Sequence, residues 1–96
     1  MPLSPLSGTE INSRLRSLES WQVEKGELVR VFTFADFRTA LAFVNQVGEL
    51  AEAAGHHPDI DIRYNRVRLA LVTHDAGGLT TNDFDLATKI SESAKA

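Results

Sequence analysis

The sequence predicts one small α+β domain, a four-stranded antiparallel sheet with helices packed on one face, in the order α-β-β-α-β-β-α. Three observations predict it. The hydrophobic period switches between about 3.6 and 2 along the chain, marking three helical and four extended runs. The extended runs come in two pairs, each joined by a tight-turn signal. The chain has 96 residues, room for one domain and not two.

The first helix is expected over residues 8–18. Ser7-Gly8-Thr9-Glu10 fits a capping box, Leu6 and Ile11 flank it as a hydrophobic staple, and Ile11, Leu15 and Leu18 make one apolar stripe. Trp21 and Val23 begin a first strand, and residues 28–34 form a second. Lys25-Gly26 supplies the turn between them, because glycine tolerates positive φ. Val29, Val31 and Thr33 fall on one side of the second strand and Leu28, Arg30, Phe32 and Phe34 on the other, so neither face is clean. A long helix follows over residues 36–54, with Phe37, Ala40, Leu41, Val44, Val47, Ala51 and Ala54 on one side. Gly55 stands where a left-handed cap belongs. Residues 60–64 and 67–73 alternate as strands around a turn at Asn65-Arg66, and 75–78 form a loop. Thr80-Thr81-Asn82-Asp83 starts the last helix, stapled by Leu79 and Phe84 and continued by Ala87, Ile90 and Ala94. The ends, before Ser7 and after about Glu92, are expected to fray.

Composition narrows the function. Ten basic against thirteen acidic side chains give a net charge of -3. That disfavours nucleic-acid binding, which needs a concentrated basic face. There is no cysteine, which excludes disulfides, thiolate catalysis and cysteine-ligated metals. No apolar run is long enough to span a membrane. Met1-Pro2-Leu3-Ser4 lacks the basic start and apolar stretch of a secretory signal, so the cytoplasm is the expected compartment. A domain this small buries only roughly 60–65% of its unfolded surface, so association between subunits is expected to help it.

Three histidines are present, and all fall at element ends. His56 and His57 follow the long helix, and His74 ends the fourth strand. Neighbours on an extended segment point in opposite directions, so His56 and His57 are expected to play different parts. Pro58 stiffens the segment and biases His57 towards extended backbone. Glu52, four residues before His56, lies within reach of an imidazole. Asp83 is the third residue of the last helix. Each has a structural reading as well: histidines are often surface residues, Asp83 completes a cap with Thr80, Glu52 suits a solvated helix, and Trp21 and Tyr64 suit a core. Three histidines and a carboxylate are also a possible zinc set. Adjacent histidines serve one ion poorly, however, and no H-x-x-x-H spacing occurs.

The string Glu52-Ala53-Ala54-Gly55-His56-His57-Pro58, followed by Tyr64, His74 and Asp83, resembles the signature of the pterin-4a-carbinolamine dehydratases. That family is also called dimerisation cofactors of a homeodomain transcription factor. The stretches Tyr64-Asn65-Arg66-Val67, Thr73-His74-Asp75-Ala76-Gly77-Gly78-Leu79 and Asp83-Phe84-Asp85-Leu86-Ala87 are similar too, as are Trp21 and Phe32-Thr33-Phe34-Ala35-Asp36-Phe37. One position departs: animal members carry an aromatic two residues after the proline, where this chain has Ile60. That change falls on the pocket wall or the oligomer contact.

The resemblance implies the same fold and a homodimer or homotetramer. It implies a pterin site lined by His56, His57 and His74, with Glu52 and Asp83 orienting imidazoles or touching the pterin, and no metal or coenzyme. The implied substrate is a 4a-hydroxytetrahydrobiopterin left by an aromatic amino acid hydroxylase, and the product a quinonoid dihydropterin. Eliminating water needs a proton given to the leaving hydroxyl and one taken from a ring nitrogen, and imidazole does either near neutral pH. His57 is assigned as base, with His56 and His74 as acid or pterin-binding partners. Two other readings stand beside this one. The chain would be a non-enzymatic homo-oligomeric module that binds a partner protein, or a pterin-binding regulator.

Overall fold

The computed structural model describes residues 4–95. The helices are α1 (Gly8–Leu15), α2 (Phe37–Ala54) and α3 (Thr81–Lys95), and the strands β1 (Gln22–Glu24), β2 (Glu27–Thr33), β3 (Asp59–Arg63) and β4 (Arg66–Leu71). A 3-10 turn at His74–Ala76 links β4 to α3. The predicted order of elements therefore holds. All pairings are antiparallel, with strand order β1-β2-β4-β3.

The register explains the mixed faces of β2. Leu28, Arg30 and Phe32 lie opposite Leu71, Leu69 and Val67, and directly opposed residues share a face. All but Arg30 are buried in the core. Arg30 reconciles its charge with that face by laying its guanidinium 4.0 Å over the Phe32 ring and donating to Ser91 Oγ. Burial pulls its pKa below the usual guanidinium value, with nearby Glu19 opposing the shift. On the far face Val29 and Ala70 are buried partners, while Val31, Arg66 and Arg68 meet solvent.

α2 and α3 pack on the core face. From α2 the core takes Ala40, Phe43, Val47 and Ala51, spaced i, i+3, i+7 and i+11 as a helix requires. The expected stripe is thus rotated: Phe43 points inward, whereas Phe37 and Leu41 are exposed. Phe84, Leu86, Ala87 and Ile90 from α3 complete the core beside Leu18 and Trp21. Trp21 donates its indole N–H to Ser91 Oγ at 2.7 Å.

Several boundaries differ from expectation. α1 stops at Leu15, and Leu18 reaches the core from the turns that follow. The second hairpin turns at Tyr64-Asn65 and not at Asn65-Arg66, since Arg63 pairs with Arg66. Tyr64 takes φ 52° in that turn and is 67% exposed, so it is not core. β4 ends at Leu71, so His74 opens the 3-10 turn and does not close a strand. The ends are better anchored than composition suggests. Leu6 N–H donates to the Leu79 carbonyl, and α3 continues to Lys95. The fraying expected at Met1, Pro2, Leu3 and Ala96 lies outside the described residues. Among the described residues no helix is long and apolar enough to cross a membrane.

The caps follow their signals. Ser7 and Glu10 form a reciprocal capping box, and Asp36 accepts from the Thr39 amide at 2.8 Å. The Thr39 backbone N–H, then its hydroxyl, hold the Asp36 carboxyl below its ordinary value of 3.8. A lowered carboxylate stabilises the fold above its unfolded pKa, and that contribution is lost as pH falls through the folded value. Asp36→Ala is therefore expected to lower the thermal midpoint by several degrees at neutral pH. The difference from wild type should shrink as pH falls below the ordinary carboxylate range, as circular dichroism melts would show.

Candidate functional site

The end of α2 aims the first two histidines. Gly55 has φ 64°; its N–H reaches the Glu52 carbonyl, and the His56 N–H reaches the Ala51 carbonyl at 3.1 Å. These bonds make a Schellman closure, which needs a residue tolerant of positive φ at this point. His56 and His57 then leave the helix end in different directions. His56 is 14% exposed, its Nε2 lying 2.5 Å from Asp83 Oδ1. His57 is 62% exposed, its Nε2 lying 2.5 Å from Glu52 Oε2. The two neighbours thus have separate carboxylate partners, one buried and one in solvent.

Asp83 is fully buried. Its Oδ2 accepts from the Thr80 amide at 2.9 Å and from Thr73 Oγ1 at 2.8 Å. One oxygen of this carboxylate thus caps the start of α3 while the other touches His56. Bonds of this kind suit a buried charge, which is costly unless paired and hydrogen-bonded.

Gly55, His56, His57, Val72, Thr73, His74 and Asp75 line one open cleft of about 270 Å³. The adjacent His56 and His57 share it with His74, which comes from beyond β4. Glu52 and Asp83 stand behind two of them, and Pro58 is not among the lining residues. A depression of similar size, about 280 Å³, lies on the open sheet face among Val31, Asp61, Arg63, Arg66 and Arg68. It offers no imidazole, whereas the histidine cleft offers three. Among the described residues no three His, Cys, Asp or Glu side chains gather as a metal-binding group.

Sequence reasoning missed Thr73 and Thr80 as site residues. Thr73 read as the end of a strand and Thr80 as a helix cap. Their hydroxyls lie 2.8 Å apart, a contact made by an isolated bridge between Thr73 and Gly78 that folds the chain back on itself. No local periodicity announces such a pairing.

The chain is thus a small α+β sandwich with carboxylate-backed histidines at one end of its sheet. Comparison with known proteins shows its family. The model of the family described as pterin 4 alpha carbinolamine dehydratase matches residues 4–93, and the chain belongs to that family. A protein of Acidobacterium capsulatum, provisionally named a pterin-4-alpha-carbinolamine dehydratase, is 62% identical over 88 residues, covering 92% of this chain and 96% of its own. One of Chloroflexus aurantiacus with the same provisional name is 62% identical over 87 residues, covering 91% and 94%. The crystal structure of a protein from Brucella melitensis, described as a transcriptional coactivator/pterin dehydratase, superposes with TM-score 0.89 at 37% identity, covering 93% of this chain and 97% of the other. A pterin dehydratase-like protein identified as a RuBisCO assembly factor in the alpha-carboxysome has TM-score 0.64 at 22% identity, covering 79% and 88%. That last likeness concerns the fold alone.

Proposed function

We propose that this chain is a cytoplasmic hydro-lyase that removes water from a 4a-hydroxytetrahydrobiopterin, giving the quinonoid dihydropterin in tetrahydrobiopterin regeneration. The observation that carries this reading is the pair of carboxylate-backed imidazoles, His56–Asp83 and His57–Glu52, in one cleft with His74. The names of the close relatives support it.

The chemistry needs two proton transfers. The bond from C4a to its hydroxyl breaks as that oxygen is protonated, and the neighbouring ring nitrogen loses its proton as the C–N double bond forms. Each of the two imidazoles engages its carboxylate through Nε2, leaving Nδ1 for the substrate. His57 acts as the base, and its exposed Glu52 dyad exchanges the proton with solvent. His56, held by buried Asp83, gives the proton to the leaving hydroxyl. His74, in the same cleft, binds the pterin. Positioned acid–base catalysis of this kind contributes roughly 10²–10⁴-fold. Turnover of freshly generated 4a-hydroxytetrahydropterin by the purified chain tests the reading. Tight pterin binding without turnover would support a regulator instead.

The working form is a homodimer or homotetramer. Phe37 and Leu41, one turn apart on α2, are 44% and 41% exposed, and β3 is an edge strand whose Ile60 is 41% exposed. A domain this small gains from covering such surface. Leu41→Glu is expected to shift sedimentation from the oligomer towards the monomer while the far-ultraviolet spectrum stays native. A wild type that sediments as a monomer at micromolar concentration would remove this part of the proposal. A partner-binding role remains the second reading, because the Brucella melitensis protein is described as a coactivator as well as a dehydratase. Co-precipitation of a stoichiometric partner that is indifferent to the histidines would favour it.

A further inference from the structure

The hydrogen bonds behind His56 have one direction. A carboxylate only accepts, so the His56 Nε2 facing Asp83 Oδ1 carries a proton. Thr73 spends its single hydroxyl proton on Asp83 Oδ2. The 2.8 Å contact between the two threonine hydroxyls therefore has Thr80 as donor and Thr73 as acceptor. Thr80 Oγ1 accepts in turn from the Asn82 amide at 3.3 Å, and a backbone N–H can only donate. Asp83 accepts at both oxygens and so fixes both links to it: were either reversed, an acceptor would face an acceptor. Thr80 and Asp83 are fully buried, where such a mismatch is most costly.

We propose that Thr73 and Thr80 are positioning residues that hold Asp83 as the acceptor facing His56, and so hold the neutral ring in the tautomer protonated at Nε2, with Nδ1 the nitrogen that takes up and gives the proton in the cleft. Among the described residues Nδ1 has no hydrogen-bond partner, and it is not among the buried unpartnered atoms, so it reaches solvent. The threonines touch no substrate; they act through Asp83. Thr80 serves in this way besides capping α3, and Thr73 is the link between the cap and the carboxylate. The kinetic consequence rests on the dehydratase reading, whereas the tautomer does not.

The experiment compares wild type with Thr73→Val, Thr73→Ser and Thr80→Val, using ring-nitrogen NMR of His56 in the free protein at alkaline pH and dehydration kinetics beside it. The wild type should show a protonated Nε2 and an unprotonated Nδ1. Thr73→Val should move the ring towards a mixture of tautomers and lower kcat about tenfold, the size of one hydrogen bond, with KM changed by less than about threefold. Thr73→Ser should restore both. Thr80→Val should shift the ring in the same direction by less, and it decides the matter should Thr73→Val fail to fold. Folded valine variants with wild-type ring nitrogens would overturn the proposal, even with an active wild type. A shifted tautomer in a protein that turns over no pterin would instead uphold it and sink the dehydratase reading.

Discussion

Replacing His56 with glutamine is expected to lower dehydration turnover roughly 10²-fold, while the protein stays folded. Glutamine keeps an N–H donor for Asp83 but has no imidazole to release or take a proton. The choice of variant matters, because Asp83 is fully buried. His56→Ala would leave that carboxylate without its partner, and an unsatisfied buried charge destabilises by itself. His57→Ala has no such complication, since His57 and Glu52 are 62% and 77% exposed. It should lose at least about tenfold in turnover with an unchanged melting point. The kinetics would be read by stopped flow and the fold by circular dichroism. A His56→Gln protein with a native spectrum and full turnover would remove the acid from the mechanism.

The second large effect concerns the core. Phe32→Ala is expected to destabilise the domain by about 3–5 kcal/mol. The Phe32 ring lies 4.6 Å from that of Phe43 and 6.4 Å from that of Phe34. It meets Trp21 edge-on at 6.1 Å, and the Arg30 guanidinium covers it at 4.0 Å. Truncation therefore removes several aromatic contacts and leaves Arg30 half-buried over a void. A domain of this size has a total stability of roughly 5–15 kcal/mol, so most of the margin would go. Urea unfolding would measure it as a lower midpoint. A loss below about 1 kcal/mol would mean that the cluster repacks freely.

The strands, the long helix and the helix starts at Ser7 and Thr80 were legible because each leaves a local mark: alternation, a period near 3.6, or a Ser/Thr followed three residues later by an acid. The rotation of α2 was not legible. Phe37, Leu41 and Phe43 are equally apolar, and only the sheet beneath decides which of them turns inward. Tyr64 was misjudged for a related reason. An aromatic in an alternating run looks buried, but the Arg63–Arg66 register leaves it in the turn. At the site, the histidines and acids were all legible as residue types. The pairing of Glu52 with His57 and of Asp83 with His56 depends on the Schellman closure at Gly55 and on the reach of α3. The Thr73–Thr80 contact depends on the bridge at Gly78. These are properties of the assembled chain, not of any one segment.

Single-turnover stopped flow would show whether the chain dehydrates a pterin. Freshly generated 4a-hydroxytetrahydropterin would be mixed with wild type, with the His56→Gln protein, or with buffer, and the appearance of quinonoid dihydropterin followed. Wild type should dehydrate the 4a-hydroxytetrahydropterin roughly 10²-fold or more faster than buffer, and the variant should lose most of that acceleration. A folded wild type that leaves the spontaneous rate unchanged would contradict the dehydratase reading and bring the partner-binding module to the front.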